Sequence, residues 1–328
     1  MSGSEFQLIQ SYFSEPEQAL QSELSRSDVL LGIGDDCAIV APKSQMNLAF
    51  SIDTLVSGVH FPLNTSAAAI AHKALAVNLS DLAAMGAEPA WFTLSLTLPD
   101  YDETWLHQFS QSLFALARNN NVHLIGGDTS HGPLSITIQI CGYLEQHGGL
   151  KRSGAKVGDI VAVTGALGAA AIGLDLALEQ NRALYADLSD NDKQFALNAL
   201  NFPQARIAEG LYLQGIAHSA LDISDGLIAD LGHILQASNV GAELQLDKLP
   251  LATPLVNLEQ TLAREKALTG GDDYELCFTL AQEDWSAVKQ KHPQFTAIGI
   301  ITEEKGLRLY TAERQLYHTH SGGYDHFG

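Results

Sequence analysis

Aspartates recur beside glycines throughout this sequence: Gly32-Ile33-Gly34-Asp35-Asp36, Gly126-Gly127-Asp128-Thr129-Ser130, Asp222-Ile223-Ser224-Asp225-Gly226 and Gly270-Gly271-Asp272-Asp273. Two further sites join them, Ser51-Ile52-Asp53-Thr54 after an apolar run and Asn78 with Asp81 inside His72–Met85. Glycine lets the backbone turn tightly, and neighbouring carboxylates repel unless a cation lies between them. Taken singly, each has a plainer reading as a solvated turn or a helix cap. In His72–Met85, Leu75, Leu79 and Leu82 form one core-facing stripe, whereas Asn78 and Asp81 share another face that is either solvated or functional. The recurrence points to magnesium, which takes oxygen ligands from a few carboxylates and from substrate phosphates. Several such turns converging on one cleft would suit phosphate chemistry.

Other chemistries lack their residues. The sequence contains no HExxH or paired Cys/His pattern for zinc, no GxxxxGK[ST] loop, no kinase HRD or DFG set and no GxSxG elbow. The three cysteines, Cys37, Cys141 and Cys277, are far apart, and the last two lie in strand-like runs as small buried hydrophobes. A formal charge of -20 excludes duplex nucleic acid as a partner, since phosphate binding there needs clustered Lys and Arg. Lys151-Arg152 stands out among few basic residues: it is either a solvated linker charge or a guanidinium for a nucleotide phosphate. The helix expected from Leu227 follows Asp222–Gly226, and its free N–H groups could accept an anion.

The elements that must position these residues fall into two halves, 1–147 and 148–328, with a Gly-rich, basic boundary between Gln146 and Gly158. In the first half, helices are predicted at Ser4–Tyr12, Ser66–Met85 and Glu103–Asn119, and strands at Asn47–Ile52, Trp91–Leu98, Val122–Ile125 and Ser135–Leu144. In the second half, a strand at Asp159–Thr164 leads into an alanine-rich helix to about Leu178, followed by a polar, exposed connection over Asn181–Asp192. A helix after Pro203, a strand ending near Ile223, a helix at Leu227–Ala237 and strands near Glu243–Leu246, Glu275–Leu280 and Thr296–Ile301 complete an α+β pattern, not a regular Rossmann or barrel alternation. With 46% apolar residues and no apolar run of roughly 18 residues, the chain is expected to be globular, off the membrane and cytoplasmic.

Together, GIGDDCA, SIDTLVSGVHF, KALAVNLSDLAAMGAEP, GGDTS, KRSGAKVGD, VTGALGAAAIGL, DISDGLIADLGHI, LTGGDDYELCFT and the terminal GGYDHF resemble the thiamine-monophosphate kinase family, in that family's order and over nearly the whole chain. The resemblance implies a two-domain fold like that of aminoimidazole-ribonucleotide synthetase. It also implies a homodimer whose N-terminal domains share a β-barrel, and ATP-dependent phosphorylation of thiamine monophosphate with several Mg2+ ions. Carried over position by position, Asp35, Ser51, the Ile52 carbonyl, Asp53, Asp81, Asp128, Asp222 and Asp225 would hold metal. Gly127, Asp128, Arg152 and Ser224 would contact the nucleotide, and His60, Asp273 and Tyr324 the thiamine phosphate. Cys37, Ser130 and Asp272 stand where the family commonly has Ala, Thr and Glu, which leaves open whether Asp272 or Asp273 faces substrate. A sister ligase activity and a non-catalytic binding protein are the alternatives; GVHF and GGYDHF favour the kinase.

Overall fold

The computed structural model describes residues 5–14 and 26–319. The chain divides into two compact units, Met1–Leu82 with Ala87–His147, and Ala83–Gly86 with Gly148–Gly328.

The first unit opens with α1 (Glu5–Ile9), which runs into a wider π turn, Gln10–Ser14. A small ribbon, β1 (Val29–Leu31) with β2 (Ile39–Val40), precedes a four-stranded sheet made of β3 (Met46–Val56), β4 (Glu88–Leu98), β5 (His123–His131) and β6 (Ser135–Glu145), with α2 (Ala67–Met85) and α3 (Glu103–Asn119) between them in sequence. Its order is β3-β6-β4-β5; only β4 and β5 are parallel. Alternation sorts the side chains as a pleated sheet must: Phe92, Leu94, Leu96, Leu98, Ile136, Ile138 and Ile140 are buried on one face. On the other, Trp91, Cys141 and Tyr143 pack against the ribbon, while Phe50 and Ile52 stay 62% and 61% exposed. The stripe Leu75, Leu79 and Leu82 is fully buried in α2, and Asn78 is too, so the solvated-face reading fails for Asn78. Asp102 starts α3 by accepting the Thr104 and Trp105 N–H groups (2.8 and 3.1 Å).

Two strands run further than their sequence suggests. β3 continues past Ile52 through Asp53 and Thr54 to Val56, and β5 carries Gly126–Ser130 inside its ladder to His131. These two motifs are therefore strand residues, not turns. The glycines have little side chain to mark a strand, but Gly127 is required in it, because a Cβ there would lie 1.9 Å from the Leu94 carbonyl oxygen.

The second unit is built on a seven-stranded sheet of β7 (Ile160–Val163), β8 (Ser219–Asp222), β9 (Gly241–Gln245), β10 (Leu276–Leu280), β11 (Thr296–Thr302), β12 (Gly306–Tyr310) and β13 (Leu316–Tyr317), in the order β13-β12-β9-β11-β7-β10-β8. Its helices are α4 (Ala169–Ala177), α5 (Asp190–Asn201), α6 (Ile207–Leu213), α7 (Leu227–Ser238), α8 (Thr253–Val256), α9 (Gln260–Thr269) and α10 (Trp285–Lys291). Val161, Val163 and Cys277 join one apolar cluster; Ala162, Leu276 and Phe278 join another. A sheet covered on both faces needs such continuous apolar runs. The polar stretch after α4 is not a plain exposed connection: Tyr185 is 1% exposed, its hydroxyl donates to Asp175 (2.5 Å), and Asp190 already begins α5.

Candidate active site

Each unit carries its own share of the expected residues. In the first, Ser51 and Asp53 alternate along the outer strand β3, and the Ser51 hydroxyl donates to the Asp81 carboxylate on α2. That contact joins two expected metal ligands from elements 30 residues apart. Asn78, one turn before Asp81 and fully buried, donates through Nδ2 to the Ala74 carbonyl (3.0 Å), while its Oδ1 has no partner among the described residues. His60 accepts the Val56 N–H at Nδ1 (3.1 Å), which fixes the ring beside the end of β3. Asp35 is exposed and accepts the Asp36 N–H (2.8 Å) in the turn at Gly34.

Gly127 and Asp128 lie on β5, the other outer strand. The registers align Asp53, Ile138, Leu94 and Gly127 in one row across the four strands. Three strand spacings, about 14 Å, separate the ends of that row. Asp128 is exposed, accepts the Ser130 hydroxyl (2.8 Å) and pairs in register with Ser95. The fold thus brings Ser51 to Asp81, with Asp53 two residues further along the same strand, and sets Asp128 on the opposite outer strand.

In the second unit, three loops meet at one end of the sheet, where β7 and β8 end and β10 begins. The Asp272 N–H donates to the Ser224 carbonyl (2.9 Å) and the Tyr274 N–H to the Ile223 carbonyl (2.8 Å), tying the 222–226 loop to the 270–275 loop. Gly271 permits this approach: a Cβ would stand 2.4 Å from the Ser224 oxygen. Asp230, 3% exposed in the first turn of α7, accepts through one oxygen the N–H groups of Ser224, Asp225 and Gly226 at 3.0, 3.0 and 3.1 Å. Those three loop donors are therefore occupied from within; the helix's own first amides, from Leu227 on, lie beyond them. Burial pushes Asp230 up to about 6 against the pull of these donors.

Asp273 is similarly committed. Both its oxygens accept the Gly168 N–H (2.9 and 2.8 Å) at the start of α4. Burial, with Glu275 and Asp272 nearby, holds its carboxyl well above the usual range. Asp272 has a left-handed backbone (φ 66°) and accepts the Tyr274 hydroxyl (2.8 Å). Beneath them, Glu275 is 4% exposed and accepts from Thr164 (2.6 Å) and from Arg206, which binds both its oxygens.

Arg152 sits elsewhere in this unit. The Ser238 hydroxyl, at the end of α7, accepts the Gly154 and Ala155 N–H groups (3.1 Å each) and donates to the Arg152 carbonyl (3.3 Å). Twelve helical residues, about 18 Å, separate that end of α7 from the Ser224 loop. Tyr324 lies outside the described residues. Among the described residues, no three His, Cys, Asp or Glu side chains gather into one ready-made metal site.

Family models described as "AIR synthase related protein", N-terminal and C-terminal domains, match residues 34–144 and 156–312. The thiamine-monophosphate kinase of Escherichia coli (strain K12) is 47% identical over 332 residues, covering 100% of this chain and 99% of that protein. The chain belongs to the thiamine-monophosphate kinase family. A solved family member from Stenotrophomonas maltophilia K279a has a TM-score of 0.82 at 44% identity, over 89% of this chain and 94% of that one. A second solved protein, described as "AaThiL complexed with AMPPCP and TMP", has a TM-score of 0.76 at 30% identity, over 98% and 97%. The expected two-domain, aminoimidazole-ribonucleotide-synthetase-like fold is thereby borne out.

Within this family fold, four residues of structural weight escaped sequence reasoning: Asp230, Glu275, Arg206 and Ser238. Glu275, Arg206 and Ser238 act on partners far away in sequence, and Asp230, though only four to six residues from its donors, reads as an ordinary first-turn aspartate. The cysteines hold their expected places: Cys141 and Cys277 are buried, and burial pushes the Cys141 thiol up to about 12.

Proposed function

We propose that this protein catalyses direct transfer of the γ-phosphoryl group of ATP to thiamine monophosphate, giving thiamine diphosphate and ADP. The observation that carries this reading is a relative spanning nearly the whole chain and solved with an ATP analogue and thiamine monophosphate. A terminal phosphate oxygen of thiamine monophosphate attacks the γ-phosphorus as the bond to the ADP oxygen breaks. That oxygen is already ionised near neutral pH, since a phosphate monoester's second pKa is about 6. The reaction needs no strong general base and no covalent nucleophile; positioning and charge neutralisation suffice.

The donor set suits magnesium. Asp35, Ser51, the Ile52 carbonyl, Asp53, Asp81, Asp128, Asp222 and Asp225 offer hard oxygens only, and the contact between Ser51 and Asp81 puts two of them side by side. Magnesium commonly fills its remaining positions with water and substrate phosphate, so a ready-made triad is not required. When bound, it would neutralise the phosphate oxygens and favour attack at the γ-phosphorus. Gly127, Asp128, Arg152 and Ser224 bind the nucleotide in this reading, with Arg152 and Ser224 at separated points along an extended ligand. His60 and Tyr324 serve the thiamine phosphate. Because Asp273 is committed to α4, we assign the carboxylate of that pocket to Asp272.

The first unit binds metal and nucleotide and dimerises; the second completes the site. The exposed Phe50 and Ile52 on the open face of β3 support a homodimer built through the first unit's sheet, and Phe50→Glu should shift sedimentation toward monomer. A cytoplasmic location accords with a biosynthetic kinase, and no helix among the described residues is long and apolar enough to cross a membrane.

The decisive assay follows ADP formation with and without thiamine monophosphate; equal rates would remove the substrate assignment. Asp81→Asn should fold normally and lose turnover. Full activity in that variant would remove the metal assignment.

A further inference from the structure

We infer that Asp230 is a positioning residue for phosphoryl transfer, holding the backbone that presents Asp222, Ser224 and Asp225. A single buried oxygen gathers three consecutive N–H groups, those of Ser224, Asp225 and Gly226. Consecutive N–H groups at the start of a helix ordinarily form a cradle for an external anion. Here the cradle is filled by the protein's own carboxylate, supplied from the first turn of the helix that the loop enters.

No side chain at the helix's N-cap position competes for these loop donors. Gly226, at its N-cap position, has φ 114° and no side chain to offer. On the far side, Ser224 and Ile223 carbonyls accept the Asp272 and Tyr274 N–H groups. The loop is therefore held from both sides, its donors by Asp230 and its acceptors by the 270–275 loop. With the backbone fixed, the Ser224 and Asp225 side chains need no rearrangement to meet a metal or phosphate. Misplacing a ligand group by about 1 Å can cost on the order of a hundredfold in rate. Asp230 touches none of the reacting atoms and acts only through this loop. The inference rests on the assignment of Asp222, Ser224 and Asp225 to metal and nucleotide.

The test uses full-length Asp230→Asn, whose shape is conserved but whose charge is gone, with Asp230→Ala as the stronger variant and Asp225→Asn as the control. Far-UV circular dichroism and urea midpoints establish folding. The readouts are the Mg2+ concentration for half-maximal turnover and ATP-analogue affinity by calorimetry, alongside KM for thiamine monophosphate. For Asp230→Asn, the half-maximal Mg2+ concentration should rise about tenfold, with KM for thiamine monophosphate within about twofold of wild type. A purely stabilising residue would lower the urea midpoint and leave the Mg2+ dependence unchanged. If the folded Asp230→Asn keeps wild-type Mg2+ dependence and nucleotide affinity while Asp225→Asn loses them, the positioning role is overturned and the site assignment stands. If Asp225→Asn is also unchanged, both fall. Should Asp230→Ala fail to fold, Asp230→Asn alone decides.

Discussion

Asp273 caps a helix to which it does not belong: both of its carboxylate oxygens lie within 2.9 Å of the Gly168 nitrogen, 105 positions earlier in the chain. Gly168 opens α4 with φ 90° and no side chain, so the first turn takes its acceptor from the loop before β10. Asp273 is thereby a capping residue, and the substrate contact proposed above falls to its neighbour Asp272. Asp273→Ala should lower stability by about 1–2 kcal/mol in urea unfolding. Asp272→Asn should leave the midpoint in place and raise KM for thiamine monophosphate about tenfold. The reverse pattern would return the substrate role to Asp273.

Arg206 and Glu275 form the second tie beneath these loops. Glu275 is nearly inaccessible, whereas the Arg206 side chain is 33% exposed. Removing the guanidinium leaves a buried carboxylate without its cation; discounted for the exposure of Arg206, Arg206→Ala should cost about 2 kcal/mol. Adding Glu275→Gln should then cost much less than it does alone, because the charge left stranded is gone. Additive effects in that thermodynamic cycle would show the pair to be uncoupled.

In the first unit, Asp28 accepts from Arg26 at both oxygens (3.0 and 2.9 Å) and from the Tyr143 hydroxyl (2.9 Å). Burial raises the carboxyl, but the hydrogen bonds from Arg26 and Tyr143 outweigh it and hold the group below its ordinary value. A depressed folded pKa means stability that is present above the unfolded value, about 3.9, and lost as pH falls through the folded one. Asp28→Asn should therefore be less stable than wild type at pH 7, and the gap should narrow as the pH falls below about 3.9. A gap independent of pH would assign the effect to shape alone.

Ser238 offers a separable test of the nucleotide end. Its hydroxyl meets three backbone groups of the segment carrying Arg152. On the proposed role of Arg152, Ser238→Ala should raise KM for ATP about fivefold and leave kcat within about twofold, since Ser238 would hold a nucleotide contact and not the reacting atoms. Ser238→Thr should restore the wild-type value. Equal falls in kcat and kcat/KM would place Arg152 in the transition state instead.

How much of this was legible depended on whether the cause was local. The stripe Leu75, Leu79 and Leu82 announces α2 because helical period and burial coincide there, and the alternating β4 announces itself likewise. Gly126–Ser130 hides inside β5 because glycine and small polar residues mark turns by composition, while strand pairing is decided by a neighbour. Tyr185 is concealed by its polar surroundings, although its hydroxyl contact with Asp175 fixes the stretch. In the site, the aspartates are visible as a recurring type. Their division of labour is not: Asp230 and Asp273 look like their neighbours and differ only in which amides reach them.

The contact between Asp273 and Gly168 also bears on the order in which the chain can mature. A protein made from its N-terminus emerges at about 5–20 residues per second, and segments fold as they become available. Residues 169–177 would leave the ribosome several seconds before Asp273 does. During that interval the start of α4 lacks the acceptor that Asp273 supplies. β10 joins β7 to β8 in the sheet shortly after Asp273, so the same late segment brings both that bridging strand and the missing cap. In the second unit, the cap on α4 and the bridging of β7 to β8 thus wait for the same segment of chain.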